Sequence, residues 1–291
     1  MYKKFLGILL VLVFGSPVFA YQDLSALCAQ PHDLSMKGTR FLYNATGTTL
    51  LAQSLANSIV KKELRKSTGA KGFKVKMKSF SAKDLADGRF KSLDISGKNL
   101  NFDGVYVSEF KASTICGFNY VKATPKSITF KDNFAMNYSM TISDTDLNRT
   151  VLSEDYLAFL KSLNFKAGGL NLMELKDVDV KLKNDKIYFK LQMNNKVFNY
   201  NIHVFMNVSA KMRVEDSKIK LTEITLENIN QKFNLTQLTN LVNLINPLNF
   251  TVDVLGNPKT KVSLQTMDIK DDKLILSGTM FVPKNVQEVR K

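Results

Sequence analysis

From Phe198 to Val214 every second residue is apolar: Phe198, Tyr200, Ile202, Val204, Met206, Val208, Ala210, Met212 and Val214. The residues between them are polar except Phe205. Alternation of period two describes a pleated strand with one dry and one wet face. Strands usually run about 3 to 10 residues, and this one keeps phase for well over that without a turn signal. At about 3.3 Å per residue it would reach more than about 50 Å. Such a strand either bends around something or belongs to an elongated molecule. Either way the expected architecture contains a long, curved β-sheet with a continuous apolar concave face available for function.

The rest of the chain supplies the helices and the other strands. Thr48 to about Ser67 is helical in period, with Leu51, Leu55 and Ile59 beside Ala52, Ala56, Val60 and Leu64, a broad dry stripe with a basic back. Gly69 is placed to end it. Strand signals follow at Phe73–Met77, at Phe90–Ile95 after Gly88 with a bulge, at Leu100–Phe102, Val105–Val107 and Ile115–Tyr120, and at Ile128–Phe130 and Phe134–Ile142. Ser143 with Asp146 has the spacing of a helix start, and Ser153-Glu154-Asp155 opens a helix through Leu163. From Val178 a meander is expected, turning at Asn184-Asp185, at Asn194-Asn195 into the long strand, and at Asp216-Ser217. A second amphipathic helix is expected over Leu235 to Ile245, stopped by Pro247, before strands that turn at Asp271-Asp272. Nothing divides residues 48–291, which read as one α+β domain behind a partly ordered lead, 21–47.

Residues 1–20 read as a signal peptide: Lys3 and Lys4, an apolar run from Phe5 to Phe14, and a small-residue cleavage site ending at Ala20. About ten apolar residues are too few for a bilayer span, which needs about 20. The expected location is periplasmic or extracellular. Loss of Lys3 and Lys4 with this segment lowers the formal charge from +15 to +13. For an exported protein that charge points to anionic headgroups and envelope polymers rather than nucleic acid. Basic residues concentrate at Lys61, Lys62, Arg65, Lys66, Lys71, Lys74, Lys76 and Lys78, read either as a membrane-surface cluster or as a solvated face. Cys28 and Cys116 form a disulfide candidate in an oxidising compartment; the alternative is two thiols, with Cys116 buried as a small hydrophobe.

Catalytic constellations are missing from this sequence. Its two histidines, His32 and His203, have no metal-ligand spacing. No Gly-x-Ser-x-Gly elbow, phosphate loop or Cys-x-x-Cys pair occurs. Asp144 with Asp146, and Asp271 with Asp272, read as helix-start and turn acids. The expectation is a protein with no catalytic activity, cofactor or metal.

The segment from Gly88 to Tyr120, GRFKSLDISGKNLNFDGVYVSEFKASTICGFNY, resembles the LmeA-like phospholipid-binding family of bacterial envelope proteins. The likeness lies in the Gly-Arg-Phe start, a second strand ending near Asp103-Gly104, and a third headed by Val105 and Ser108. The preceding helix, the ISDTDLN helix start at Ile142–Asn148, the Val214–Leu226 hairpin and the C-terminal helix and strands fit in order, over roughly Thr48 to Pro283. The resemblance implies phospholipid bound on a long, strongly curved antiparallel β-sheet wrapped around amphipathic helices, similar to tubular lipid-binding domains, with peripheral membrane contact; the basic residues direct the expectation to anionic lipid. It supplies no catalytic residue, and this chain lacks the lipobox of anchored relatives. Acyl chains gain about 0.8 kcal/mol per CH₂ removed from water. The expected lining is the dry face of the strands: Phe134, Met136, Tyr138, Met140, Ile187, Phe189, Leu191, Met193, Phe198, Tyr200, Ile202, Val204, Met206, Val208 and Met212. Two competing readings remain: the same residues form a filled core of an envelope structural or adhesion module, or the protein is an enzyme of envelope glycolipid metabolism.

Overall fold

Three tight turns join six of the strands in pairs. Asn184-Asp185, Asp216-Ser217 and Asp271-Asp272 each hold positive φ at both residues, between 50° and 60°. They join Lys183 to Lys186, Glu215 to Lys218, and Lys270 to Lys273 as paired residues. A two-residue loop of this hand matches the twist of antiparallel strands, and Asn, Asp and Ser tolerate it.

The computed structural model describes residues 24–70, 72–102, 104–124, 127–162, 165–167, 170–197, 200–227, 239–240, 242–243, 245–248 and 261–289. A 3₁₀ turn at Leu24–Leu27 precedes helices α1 (Lys37–Ala45) and α2 (Thr48–Thr68). Strand β1 (Lys74–Ser79) and helix α3 (Ala82–Ala86) lead to β2 (Arg89–Phe102), β3 (Val105–Thr114), β4 (Asn119–Ala123), β5 (Ser127–Phe130) and β6 (Phe134–Ser143). Helices α4 (Asp144–Val151) and α5 (Glu154–Ser162) follow, then β7 (Phe165–Ala167), β8 (Leu170–Lys183), β9 (Lys186–Val197), β10 (Tyr200–Glu215) and β11 (Lys218–Glu227). The C-terminal strands are β12 (Lys261–Lys270), β13 (Lys273–Val282) and β14 (Gln287–Val289).

The fold is α+β and mainly antiparallel sheet. Nine strands form one sheet in the order β12-β13-β6-β3-β2-β4-β5-β14, with β1 also paired to β2; five form another in the order β11-β10-β9-β8-β7. Among the described residues neither sheet closes on itself. One buried apolar cluster takes in both, from Met140, Ile142 and Leu276 of the first to Val180, Phe189 and Met206 of the second. Leu147 and Val151 of α4 and Tyr156 of α5 belong to it, and the Tyr156 hydroxyl donates to the Ile245 carbonyl.

Side chains satisfy backbone groups along parts of three strands, β1, β8 and β11. Asn57 of α2 accepts the Met77 N–H of β1 at 2.8 Å. Asp144 and Asn148 of α4 accept the Leu182 and Val180 N–H groups of β8 at 2.7 and 2.8 Å. Asn243 accepts the Leu221 N–H of β11 at 2.9 Å. An open edge invites pairing with another chain, and covering it removes that hazard. At Gly88 the backbone has φ 90°, and a Cβ there would stand 2.4 Å from the Val121 carbonyl oxygen; only glycine fits the start of β2.

The sequence expectations need four corrections. Asn194-Asn195 is not a turn: both residues lie in β9, paired with His203 and Ile202, and the strands stay paired to Val197 opposite Tyr200. The long strand is therefore Tyr200–Glu215, of 16 residues. Asn is tolerated in a ladder when both neighbours pair, so its turn preference was overridden. The lead before residue 48, read as partly ordered, contains the regular helix α1, which buries none of its residues. Ile115 to Phe118 connects strands instead of continuing one. The fourth correction concerns α2. Its Ala56, Val60 and Leu64 row meets the core, while Leu51, Leu55 and Ile59 are 69, 68 and 60 % exposed. Asn57 bonding β1, Gln53 bonding Ser79 at 3.2 Å and Thr49 accepting the Ala82 N–H at 3.2 Å set the helix rotation. The helix expected over residues 235–245 lies mostly outside the described residues; of it, Val242 and Ile245 are fully buried. The signal segment, 1–20, lies outside them entirely.

Candidate functional site

The register of the nine-stranded sheet aligns polar residues from five strands. Lys74, Ser96, Lys111, Ser139 and Ser277 form one cross-strand row. Lys76, Asp94, Ser113 and Asn137 form the parallel row two residues away. Both rows line an open trough of about 750 Å³, within the size range of small-molecule sites. The intervening row, Val75, Ile95, Ala112 and Tyr138, contributes to its floor and carries side chains packed with the core. Three lysines against one aspartate make the trough cationic, and lysine stems supply carbon surface beneath their charged heads. Burial pushes the Tyr138 phenol well above its ordinary range, so it is a neutral group at physiological pH.

Two of the anticipated cationic residues, Lys74 and Lys76, thus meet in one place; Lys78 is exposed further along β1. Lys61, Lys62, Arg65 and Lys66 lie on α2 instead, and Lys71 lies outside the described residues. Lys111, Asp94 and the hydroxyl rows were not singled out from the sequence. Their only signal is wet-face parity within strands, which becomes a site once the register aligns them.

The anticipated apolar lining divides differently. Met136, Tyr138, Met140, Ile187, Phe189, Leu191, Met206 and Val208 are buried in the common core, covered by the chain's own atoms. Phe134 and Met212 are half-buried against it. Phe198 lies outside the described residues, and Met193, Tyr200, Ile202 and Val204 outside the described side chains. Phe205, the one lapse in the alternation, stays on the polar side, 56 % exposed, beside a hollow of about 400 Å³ also lined by Leu152, Lys190 and Gln192.

The buried acids hold structure together. Asp84 is fully buried and accepts from the Ser35 N–H at 2.7 Å, from the Ser81 hydroxyl at 2.6 Å and from the Ser35 hydroxyl at 3.0 Å. Burial pushes its carboxyl up, but the Ser35 N–H, the two hydroxyls and the Arg89 charge outweigh that and hold it below the usual carboxylate range. Asp146 and Ser143 close a capping box at the start of α4, with Ser108 donating to the same carboxylate. Burial raises Asp144, partly offset by the Leu182 N–H. Cys28 and Cys116 are joined in a disulfide with Cα atoms 5.4 Å apart, pinning the lead beside β4. Among the described residues no cluster of three or more His, Cys, Asp or Glu could hold a metal, and no helix is long and apolar enough to cross a membrane.

No curated protein and no solved structure matches this chain. A family match does extend over residues 47–279, from the residue before α2 into β13, and takes in the trough, α2, the five-stranded sheet and all of the nine-stranded sheet but β14 and the end of β13. On the strength of that match over most of its length, the chain belongs to the LmeA-like phospholipid-binding family.

Proposed function

We propose that this protein is exported and binds phospholipid non-covalently for envelope lipid handling, acting as a binding protein rather than an enzyme. The observation that carries this reading is the family match across both sheets and α2. The disulfide supports an oxidising compartment, periplasmic or extracellular, reached by cleavage near Ala20. Residues 48–291 act as one unit, a reading supported by the core shared between the sheets, in an elongated, strongly curved arrangement around the helices. Acyl chains lie against the apolar face of the alternating strands, where Phe134 and Met212 are half-buried rather than fully covered. Anionic lipid is favoured by the charge and by the lysines of α2 and β1.

A second reading is favoured by the filled packing at Met140, Ile187, Phe189 and Val208. In it the protein is an envelope structural module, and the cationic trough engages a polar partner such as a glycan. Native mass spectra of the protein purified from its own compartment, before and after organic extraction, separate the two. Co-purified phospholipid, with transfer between labelled liposomes, supports the lipid reading. Bare protein and no transfer would leave only the structural module.

A further inference from the structure

Among the described residues nine large apolar side chains are exposed, and seven of them fall between Met36 and Ile59. They lie on α1, its preceding residue and α2, two helices in contact with each other. An apolar patch this concentrated on a soluble surface marks an interaction site. It is also costly to leave bare: a nine-residue helix such as α1 is marginal in water by itself, yet Phe41 and Leu42 face solvent.

The exposed face of α2 changes character along its length. At 3.6 residues per turn, Leu51, Leu55, Ile59, Lys62 and Lys66 lie within about 80° of one another. The face is therefore apolar for its first turns and cationic for its last. Lys61 and Arg65 flank the same face, and the helix holds one acid, Glu63, on the opposite flank. An apolar stripe continuous with a lysine-rich turn is the composition of an interfacial helix, whose dry side enters the boundary between headgroups and acyl chains.

We propose that α1 and α2 form a docking ridge for an anionic bilayer surface, with Phe41, Leu51, Leu55 and Ile59 entering the interface and Lys62 and Lys66 meeting lipid phosphates. Charge complementarity selects this occupant. A second copy would bring another cationic helix end and no matching acids, whereas anionic lipid supplies hydrocarbon and negative charge together. The ridge deepens the lipid reading, but it stands on residues separate from the anticipated acyl-chain lining.

The test uses the exported protein with vesicles of phosphatidylglycerol and phosphatidylethanolamine, and with vesicles of phosphatidylcholine alone. The sequence contains no tryptophan, so Leu55→Trp provides a single reporter. Its emission is expected to shift to the blue with the anionic vesicles. Combined Leu51→Ser, Leu55→Ser and Ile59→Ser, all at exposed positions, should weaken vesicle binding at least about tenfold. Lys62→Gln with Lys66→Gln should sharply reduce the preference for anionic vesicles and its salt sensitivity. Lipid seen in native mass spectra should be retained by both variants, which distinguishes failure of the ridge from failure of the lipid reading. Parent protein indifferent to both vesicles, an unshifted emission, or serine variants that bind like the parent would each overturn the proposal. So would a serine variant that turns a dimer into a monomer, since the ridge would then belong to a second copy.

Discussion

One amide of Asn148 holds both polar groups of Val180: Nδ2 donates to the Val180 carbonyl at 2.9 Å, and the Val180 N–H donates to Oδ1 at 2.8 Å. A helix side chain thus completes the edge of β8 as a neighbouring strand would. Asn148→Ala removes both partners and leaves a part-buried N–H and C=O unpaired. Each unpaired group costs about 1–3 kcal/mol, so urea denaturation should show a loss of about 2–6 kcal/mol. A variant as stable as the parent would mean that water or backbone movement replaces both bonds.

The Cys28–Cys116 bond closes a loop with a sequence separation of 88. In the chain-entropy account a loop of that length is worth about 4–5 kcal/mol. Cys28→Ser with Cys116→Ser should lower the thermal midpoint clearly and speed proteolysis of the lead before α1. Equal melting of oxidised and reduced protein would show that the lead adds nothing to the stability of the sheet.

His32 reports on the same anchor. Its Nε2 lies 2.7 Å from Asp132 Oδ2. That hydrogen bond, opposed by slight burial and helped by the charges of Asp132 and Asp33, raises its pKa above the ordinary 6.5. A raised folded-state pKa means the contribution is complete below about 6.5 and is lost as pH rises through the folded value. The ring is 45 % exposed, which limits the effect to under about 1 kcal/mol. In an NMR titration Asp132→Asn should move the His32 midpoint down toward 6.5; an unchanged midpoint would remove Asp132 as the cause.

Met206 and Phe205 are neighbours in β10 with opposite fates, one fully buried and one 56 % exposed. Met206→Asp places an unpaired carboxylate in the core beside Leu191, its ladder partner. The cost, about 3–5 kcal/mol or more, is a large share of a typical domain stability of about 5–15 kcal/mol. Little folded protein should accumulate. Phe205→Asp should change stability by about 0.5 kcal/mol at most. Normal folding of Met206→Asp with selective loss of bound lipid would place this residue in a ligand groove instead.

What the sequence determined by itself was local. Period-two alternation marked β1, β6, β9 and β10, Ser143 with Asp146 marked the capped start of α4, Gly69 marked the end of α2, and three acidic or amide turn pairs marked their hairpins. Each depends on backbone sterics or hydrogen bonds within a few residues, which neighbouring side chains dictate. Tertiary structure decided which row of α2 would be buried. Both rows are apolar, and only the bonds from Thr49, Gln53 and Asn57 to β1 and α3 chose between them. Long-range pairing also kept Asn194 and Asn195 in a strand and gathered Lys74, Lys111 and Ser277 into one trough. Those outcomes depend on register between segments up to about two hundred residues apart, which local pattern does not encode.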